Sequence, residues 1–132
     1  MKSFRQYINE EVSQADLNSL EKVLDALFAK VNIDIGFTKH FLDRVNDKRN
    51  KTPITVDELT TLFKKTFKKY GNKLKMTRDD NEDMEAILLD IQTDINIPFI
   101  LSWNPKDKEL ELITKTVMRK KKFKASDPFL KV

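Results

Sequence analysis

The chain has 132 residues and a formal net charge of +4. This length fits one domain, and nine Phe help to supply apolar surface for one packed core. The chain has no Cys, which excludes disulfides and thiol chemistry, and its single His argues against a zinc site built from His or Cys. No apolar run approaches the roughly 18 residues of a membrane span, so we expect a soluble, cytoplasmic protein with no membrane partner.

Positive charge is concentrated in two parts of the sequence. Six lysines lie within 64–75, and five lysines and an arginine lie within 115–124. Clustered charge of one sign favours an anionic partner, with nucleic acid first. For any single lysine, simple solubilisation stays the better interpretation.

Residues 1–12 are predicted to form a short amphipathic helix, with Phe4, Tyr7 and Ile8 at helical spacing. The run from Met1 to Glu10 resembles the capsid-targeting peptide of internal head proteins in T-even-type phages, which begins Met-Lys-Thr-Tyr and ends Ile-x-Glu. The resemblance implies packaging in the phage head and cleavage by a prohead protease after Glu10. An amphipathic helix that docks on the domain is the alternative, and the two interpretations are balanced.

Apolar periodicity and cap residues predict the elements of the next part of the chain. They are a helix at 17–30 with its N-cap at Asp16, a short strand at 33–35, a helix at 38–50 and a helix at 55–70. The last helix begins with a capping box formed by Thr55 and Glu58, and Gly71 is predicted to end it. Charged residues at 78–83 predict an exposed loop.

Three apolar runs at 86–93, 97–103 and 109–118 predict strands. The turns between them are short and rich in Asn, Asp and Pro, which indicates an antiparallel meander. Pro98 argues for a strand start or a sheet edge at that position. Strict alternation in the last run places Thr114 and Thr116 on the same face as Leu110. The tail at 123–132 is predicted to dock through Phe123 and Phe129.

From 33 to 122 the order of elements is strand, helix, helix and three strands, with His40 and Arg44 in the first helix. This pattern is similar to the RelE-like branch of the barnase–colicin–RelE nucleases. Phage endoribonucleases of this group have a helix that begins His-Leu-Leu-Asp-Arg, beside His-Phe-Leu-Asp-Arg at 40–44 here. Their next helix carries Glu-Leu-Phe-His-Lys, and Lys64 stands where that second functional histidine does.

The resemblance implies an α+β fold with N-terminal helices packed on a small antiparallel sheet, in the order β-α-α-β-β-β, as one RelE-like domain over 13–132. It also implies RNA cleavage by the 2′-hydroxyl, without metal or other cofactor. In that scheme His40 transfers a proton, Arg44 holds the phosphate, and Lys64 and Thr116 (or Thr114) donate to it. The candidate nucleic-acid contacts are Arg49, Lys68, Lys115, Arg119, Lys120, Lys121 and Lys122.

The sequence is compatible with three functions. The first is an endoribonuclease that acts on host or phage messages in the host cytoplasm, with or without packaging in the virion. The second is a non-catalytic internal head protein that binds RNA, DNA or other head proteins, which the missing second histidine favours. The third is an effector that binds a host protein. For each candidate residue a structural role is the alternative, such as an ion pair of His40 with Asp43 or Asp47.

Overall fold

The computed structural model describes residues 11–76 and 83–132. The elements in chain order are α1 (Gln14–Phe28), β1 (Ile33–Phe37), α2 (Phe41–Val45), α3 (Val56–Lys75), β2 (Met84–Asp90), β3 (Ile95–Asn104), β4 (Glu109–Thr114), β5 (Met118–Arg119) and β6 (Phe129–Lys131). Short 3-10 turns cover Ala29–Val31 and Lys48–Asn50. The predicted targeting peptide, its cleavage point at Glu10 and nearly all of the predicted loop at 78–83 lie outside the described residues.

The strands form one mixed sheet in the order β1-β4-β3-β2-β6, with β5 beside β3. The meander β2-β3-β4 is antiparallel as predicted, whereas β1 pairs with β4, and β6 with β2, in parallel. The α+β class and the helices on the sheet are therefore confirmed, but the prediction of a purely antiparallel sheet is wrong. Two helices and two strands separate β1 from β4 along the chain, so no hairpin turn fixes their direction.

The core lies between the helices and one face of the sheet. Alternate residues of β1 and β4 reach this face, among them Ile33, Ile35 and Leu112, and each is nearly inaccessible to solvent. α1 and α3 cover them with apolar stripes at helical spacing that include Leu24 and Leu62. This packing fixes where β1 and β4 end, and thereby positions the candidate site.

The cap of α1 lies three residues before the predicted one. Ser13, not Asp16, is the N-cap: its hydroxyl accepts from the Asp16 amide at 3.0 Å, and the Asp16 carboxylate accepts from the Ser13 amide at 3.0 Å. An Asp near the start of a helix can be the N-cap itself, or it can occupy the third helical position and complete a capping box, as Asp16 does here. The predicted capping box of Thr55 and Glu58 at the start of α3 is confirmed.

Two helix ends differ from prediction. α2 covers five residues and stops at Val45, because the Asn46 side chain bonds the backbone of Val12 in both directions and Asp47 caps a new turn. α3 continues through Gly71 to Lys75. A Cβ at position 71 would meet the Phe67 ring at 3.5 Å, an ordinary contact distance, so the helix passes through this position without needing the small size of glycine.

The last predicted strand is interrupted after Thr114, and β5 resumes at Met118. Val117 is buried, whereas Thr116 is partly exposed, so the predicted alternation fails beyond Thr114. The same interruption accommodates Pro98 in an interior strand, against the prediction of a strand start or edge. The Pro98 carbonyl accepts a hydrogen bond from the Lys115 amide, so this side of Pro98 faces the gap between β4 and β5. The Pro98 nitrogen, which has no hydrogen to donate, faces the same gap, and no hydrogen bond between strands is lost there. The tail docks on the domain, but not through the two predicted rings: β6 pairs with β2, and Leu130 and Val132 pack against the core. The rings of Phe123 and Phe129 contact each other, with centroids 6.2 Å apart.

Candidate functional site

The parallel strands β1 and β4 end at the same edge of the sheet, and we call residues 38–44 together with 114–119 the β1–β4 edge. Its two sides are joined directly, because the Thr38 amide donates to the Thr114 carbonyl at 3.2 Å and the Thr38 hydroxyl to the Lys115 carbonyl at 2.9 Å. His40 follows two residues later, as the N-cap of α2. These bonds place the segment that leads into His40 and Arg44 against the end of β4, directly before Thr116.

His40 is exposed at this edge. Within residues 11–76 and 83–132 its imidazole makes no hydrogen bond or ion pair, and it does not pair with Asp43 or Asp47. An exposed imidazole without a hydrogen-bond partner is free to accept or donate a proton. Proton transfer is therefore chemistry that the side chain is available to perform.

Arg44 lies one turn after His40, with 48% of its side chain exposed. Its guanidinium is 3.6 Å from Asp47, but that carboxylate is held more closely by Arg49, which donates to it at 2.9 Å. Hydrogen bonds from the side chain and backbone of Arg49 lower the pKa of Asp47 to about 2. Of the two arginines near Asp47, Arg44 is thus the less tightly bound, and its guanidinium is available to an incoming anion.

The two candidate threonines differ in their surroundings. Thr114 is buried, and its hydroxyl donates to the Gly36 carbonyl at 3.1 Å, which ties β4 to β1. Thr116 is partly exposed in the interruption between β4 and β5, and its hydroxyl has no partner among the described residues. Of the pair, Thr116 is the one that can donate to a ligand.

Lys64 is not part of the β1–β4 edge. It follows the buried pair Leu62 and Phe63 in α3, and at about 100° per residue its side chain points away from the sheet. It is exposed and has no partner in the described part of the chain. The structure therefore does not place Lys64 beside His40 as the second acid–base group.

The candidate nucleic-acid contacts fall into two groups. Arg49 is bonded to Asp47, Lys115 to Glu85, and Arg119 to several backbone carbonyls and to Glu58. The other four are exposed, and their side chains bond no described residue: Lys68, Lys120, Lys121 and Lys122. The sequence shows which residues are cations, but only the fold shows which of them are already used.

The sheet also carries an acidic group that the sequence did not reveal. Asp34 of β1 lies opposite Glu111 of β4, with Glu109 nearby and Asp25 of α1 beside them. Burial, followed by the charge and hydrogen bond of Asp25, raises the pKa of Asp34 to about 6. Negative charge therefore lies toward the start of β1, and the free lysines of 120–122 follow β5. Parallel pairing of β1 with β4 creates the group, so no local signal marks it.

In the described ranges no group of three or more Asp, Glu or His could hold a metal ion. None of the described helices is long and apolar enough to cross a membrane. No protein-family model, curated protein or solved structure matches the chain.

Proposed function

We propose that this protein is a RelE-like endoribonuclease that cleaves RNA by attack of a 2′-hydroxyl on the adjacent phosphate. The observation that carries the proposal is the exposed and unbonded imidazole of His40, one helical turn from the available guanidinium of Arg44. The element order β1-α2-α3-β2-β3-β4 agrees with the RelE-like pattern inferred from the sequence. The mixed sheet and the missing second histidine are departures from the expected pattern.

In the proposed reaction His40 takes the proton of the 2′-hydroxyl. The 2′-oxygen forms a bond to phosphorus, and the bond from phosphorus to the 5′-oxygen breaks. The products are a 2′,3′-cyclic phosphate and a free 5′-hydroxyl. Arg44 stabilises the charge on the phosphate oxygens, and Thr116 donates to one of them. Water supplies the proton of the leaving oxygen, and the loss of a positioned acid slows such a step by about 10²- to 10⁴-fold.

The test is incubation of the purified protein with single-stranded RNA in EDTA, followed by separation of the products. We expect discrete fragments that end in cyclic phosphate, and none from His40→Ala or Arg44→Ala at unchanged melting temperature. Lys64→Ala is the matched control, since this residue lies outside the β1–β4 edge, and it should still cleave. Intact RNA with the wild-type protein, or equal cleavage by His40→Ala, would refute the proposal.

A non-catalytic nucleic-acid-binding protein is the second candidate. It is favoured by the position of Lys64, which lies outside the β1–β4 edge. Of the expected acid–base pair of His40 and Lys64, only His40 is then at this edge. It predicts binding of RNA or DNA that weakens steeply with salt, without cleavage. Substitution of Lys120, Lys121 and Lys122 by Ala should then weaken binding, whereas His40→Ala should leave it intact. Packaging in a phage head, which rests on residues 1–10, stays a proposal for either candidate.

A further inference from the structure

We infer that Arg119 is a positioning residue that holds the segment carrying His40 and Arg44, rather than a contact to nucleic acid. The inference concerns the same site and rests on the proposed ribonuclease function. It assigns to Arg119 a role different from the one that its charge predicts. Three observations carry it: the bonds of Asn50, the bonds of the Arg119 guanidinium, and the backbone conformation of Lys51.

Asn50 links α2 to β5. It is 6% exposed, and its amide nitrogen donates to the carbonyls of Arg44 at 3.0 Å and Val45 at 3.2 Å. Its side-chain oxygen accepts from the Arg119 amide at 3.0 Å. The last carbonyls of a helix have no partner within the helix, so Asn50 satisfies them here. The short helix that presents His40 and Arg44 is thus fastened at its end to the strand of Arg119.

The guanidinium of Arg119 is used almost completely inside the protein. Nε donates to the Thr52 carbonyl at 3.1 Å, and Nη1 to the Thr93 carbonyl at 2.9 Å. Nη2 donates to the Pro53 carbonyl at 2.9 Å and to the Glu58 carboxylate at 2.6 Å. These bonds occupy four of the five guanidinium N–H groups, and the side chain is 14% exposed. Little of the fork remains for a phosphate.

The carboxylate of Glu58 reinforces this arrangement. Burial opposes its ionisation, but the hydrogen bond from Arg119, the bonds from Thr55 and the Arg119 charge outweigh burial. Together they hold the pKa of Glu58 below its ordinary value. The same oxygen accepts from the Thr55 amide at 3.0 Å and thereby caps α3. Arg119 therefore connects the start of α3 to the turn at 50–53, and both to β5.

Lys51 lies between two partners of Arg119 in an unfavourable backbone conformation. Its φ is 60° and its ψ is −62°, and the Thr52 amide donates to the Asn50 carbonyl at 2.6 Å across it. This is a γ-turn of the rare, strained hand. Such a residue keeps its conformation only where its surroundings enforce it, and Arg119 bonds the residues on both sides. The bond to Asn50 comes from the Arg119 backbone amide and survives a side-chain substitution, whereas loss of the side-chain bonds to Thr52 and Pro53 should let the turn relax and displace α2.

The decisive variant is Arg119→Lys, which keeps the positive charge but loses the planar guanidinium group and its fixed set of N–H donors. We measure kcat, KM and the salt dependence of binding with a fluorescent single-stranded RNA of mixed sequence. We expect kcat to fall by about 100-fold, because a small displacement of catalytic groups has an effect of this size. The salt dependence of RNA binding should stay unchanged. If Arg119 instead contacted an RNA phosphate, lysine could replace it as a point charge, and kcat would stay close to the wild-type value. Lys121→Ala is the comparison, and it should reduce the salt slope for single-stranded RNA by about 0.7.

Hydrogen exchange of the free protein gives a readout that does not depend on cleavage. In Arg119→Lys we expect faster exchange of the amides of Asn50, Lys51 and Thr52, with β3 amides as protected as in the wild type. Unchanged exchange at 50–52 together with full kcat would overturn the inference. Loss of protection across β3 would also overturn it, since Arg119 would then support the whole fold. If the wild type cleaves no RNA, the proposed function fails, and the exchange data still decide whether Arg119 holds this segment.

Discussion

The acidic group on the sheet gives a sharp prediction about pH: Asp34→Asn should stabilise the protein at neutral pH and not in acid. Asp34 alternates with Ile33 and Ile35, so its side chain lies on the sheet face opposite the core. There it is partly buried beside Asp25 and opposite Glu111, and its pKa is raised from 3.8 to about 6. The folded protein therefore holds this proton more tightly than the unfolded chain does.

The sign and size follow from that difference in pKa. Below 3.8 the carboxyl is protonated in both states and costs nothing. Burial and the neighbouring carboxylates disfavour the charged form of Asp34 in the folded state. Stability is therefore lost as the pH rises from 3.8 through about 6, and it stays lost at higher pH. Two pKa units correspond to nearly 3 kcal/mol for a fully buried group. Asp34 is only partly buried, and screening by solvent reduces the expected gain to about 1 kcal/mol.

The assay is thermal unfolding of the wild type and Asp34→Asn at pH 3.5 and pH 7.5. For a domain of this size, about 1 kcal/mol corresponds to a rise of about 4 °C in melting temperature at pH 7.5. No rise is expected at pH 3.5. Asp43→Asn is the control, because it removes the same charge from an exposed position outside the acidic group. Equal gains at both pH values, or a loss at pH 7.5, would refute the reasoning.

Two further substitutions test the backbone and the tail. Lys51→Gly should stabilise the protein by about 0.5–1 kcal/mol in urea unfolding, since relief of the positive φ outweighs the added entropy of the unfolded chain. A lower urea midpoint would contradict a strained turn. Phe129→Ala should destabilise by about 1–2 kcal/mol, less than for a fully buried ring, because it removes the ring contact with Phe123 and leaves the backbone pairing of β6 with β2 in place. Unchanged stability would show that the Phe129 ring adds nothing to the fold.

The elements with a strong local signal could be predicted from the sequence. The apolar stripe of α1 and the capping box at Thr55 depend on residues within a few positions of each other, and both lie where predicted or close to it. Gly71 misled the prediction, because the helix continues through it to Lys75. Glycine is favoured just past helix ends but is also tolerated inside a helix that tertiary packing holds, and the sequence does not separate these cases.

The sheet was harder to predict, because pairing between distant strands leaves no local pattern. Nothing in 33–37 or 109–114 indicates that the two segments run parallel. The interruption after Thr114 is equally hidden, since Lys115-Thr116-Val117 continues a plausible strand in composition. Its consequence is specific: the prediction that Thr116 continues the face of Thr114 is wrong, and Val117 enters the core.

For the candidate site, the fold decides how many cations remain for a ligand. All seven candidate contacts would give a slope of about −5 for single-stranded RNA on a plot of log binding constant against log salt, at about −0.7 for each phosphate. Arg49, Lys115 and Arg119 already have carboxylate partners, and the four remaining lysines give about −3. A steeper slope would mean that RNA displaces internal ion pairs. Because Arg119 also bonds three carbonyls, its release would unfasten the turn at 50–53, so binding and the geometry around His40 would then be coupled.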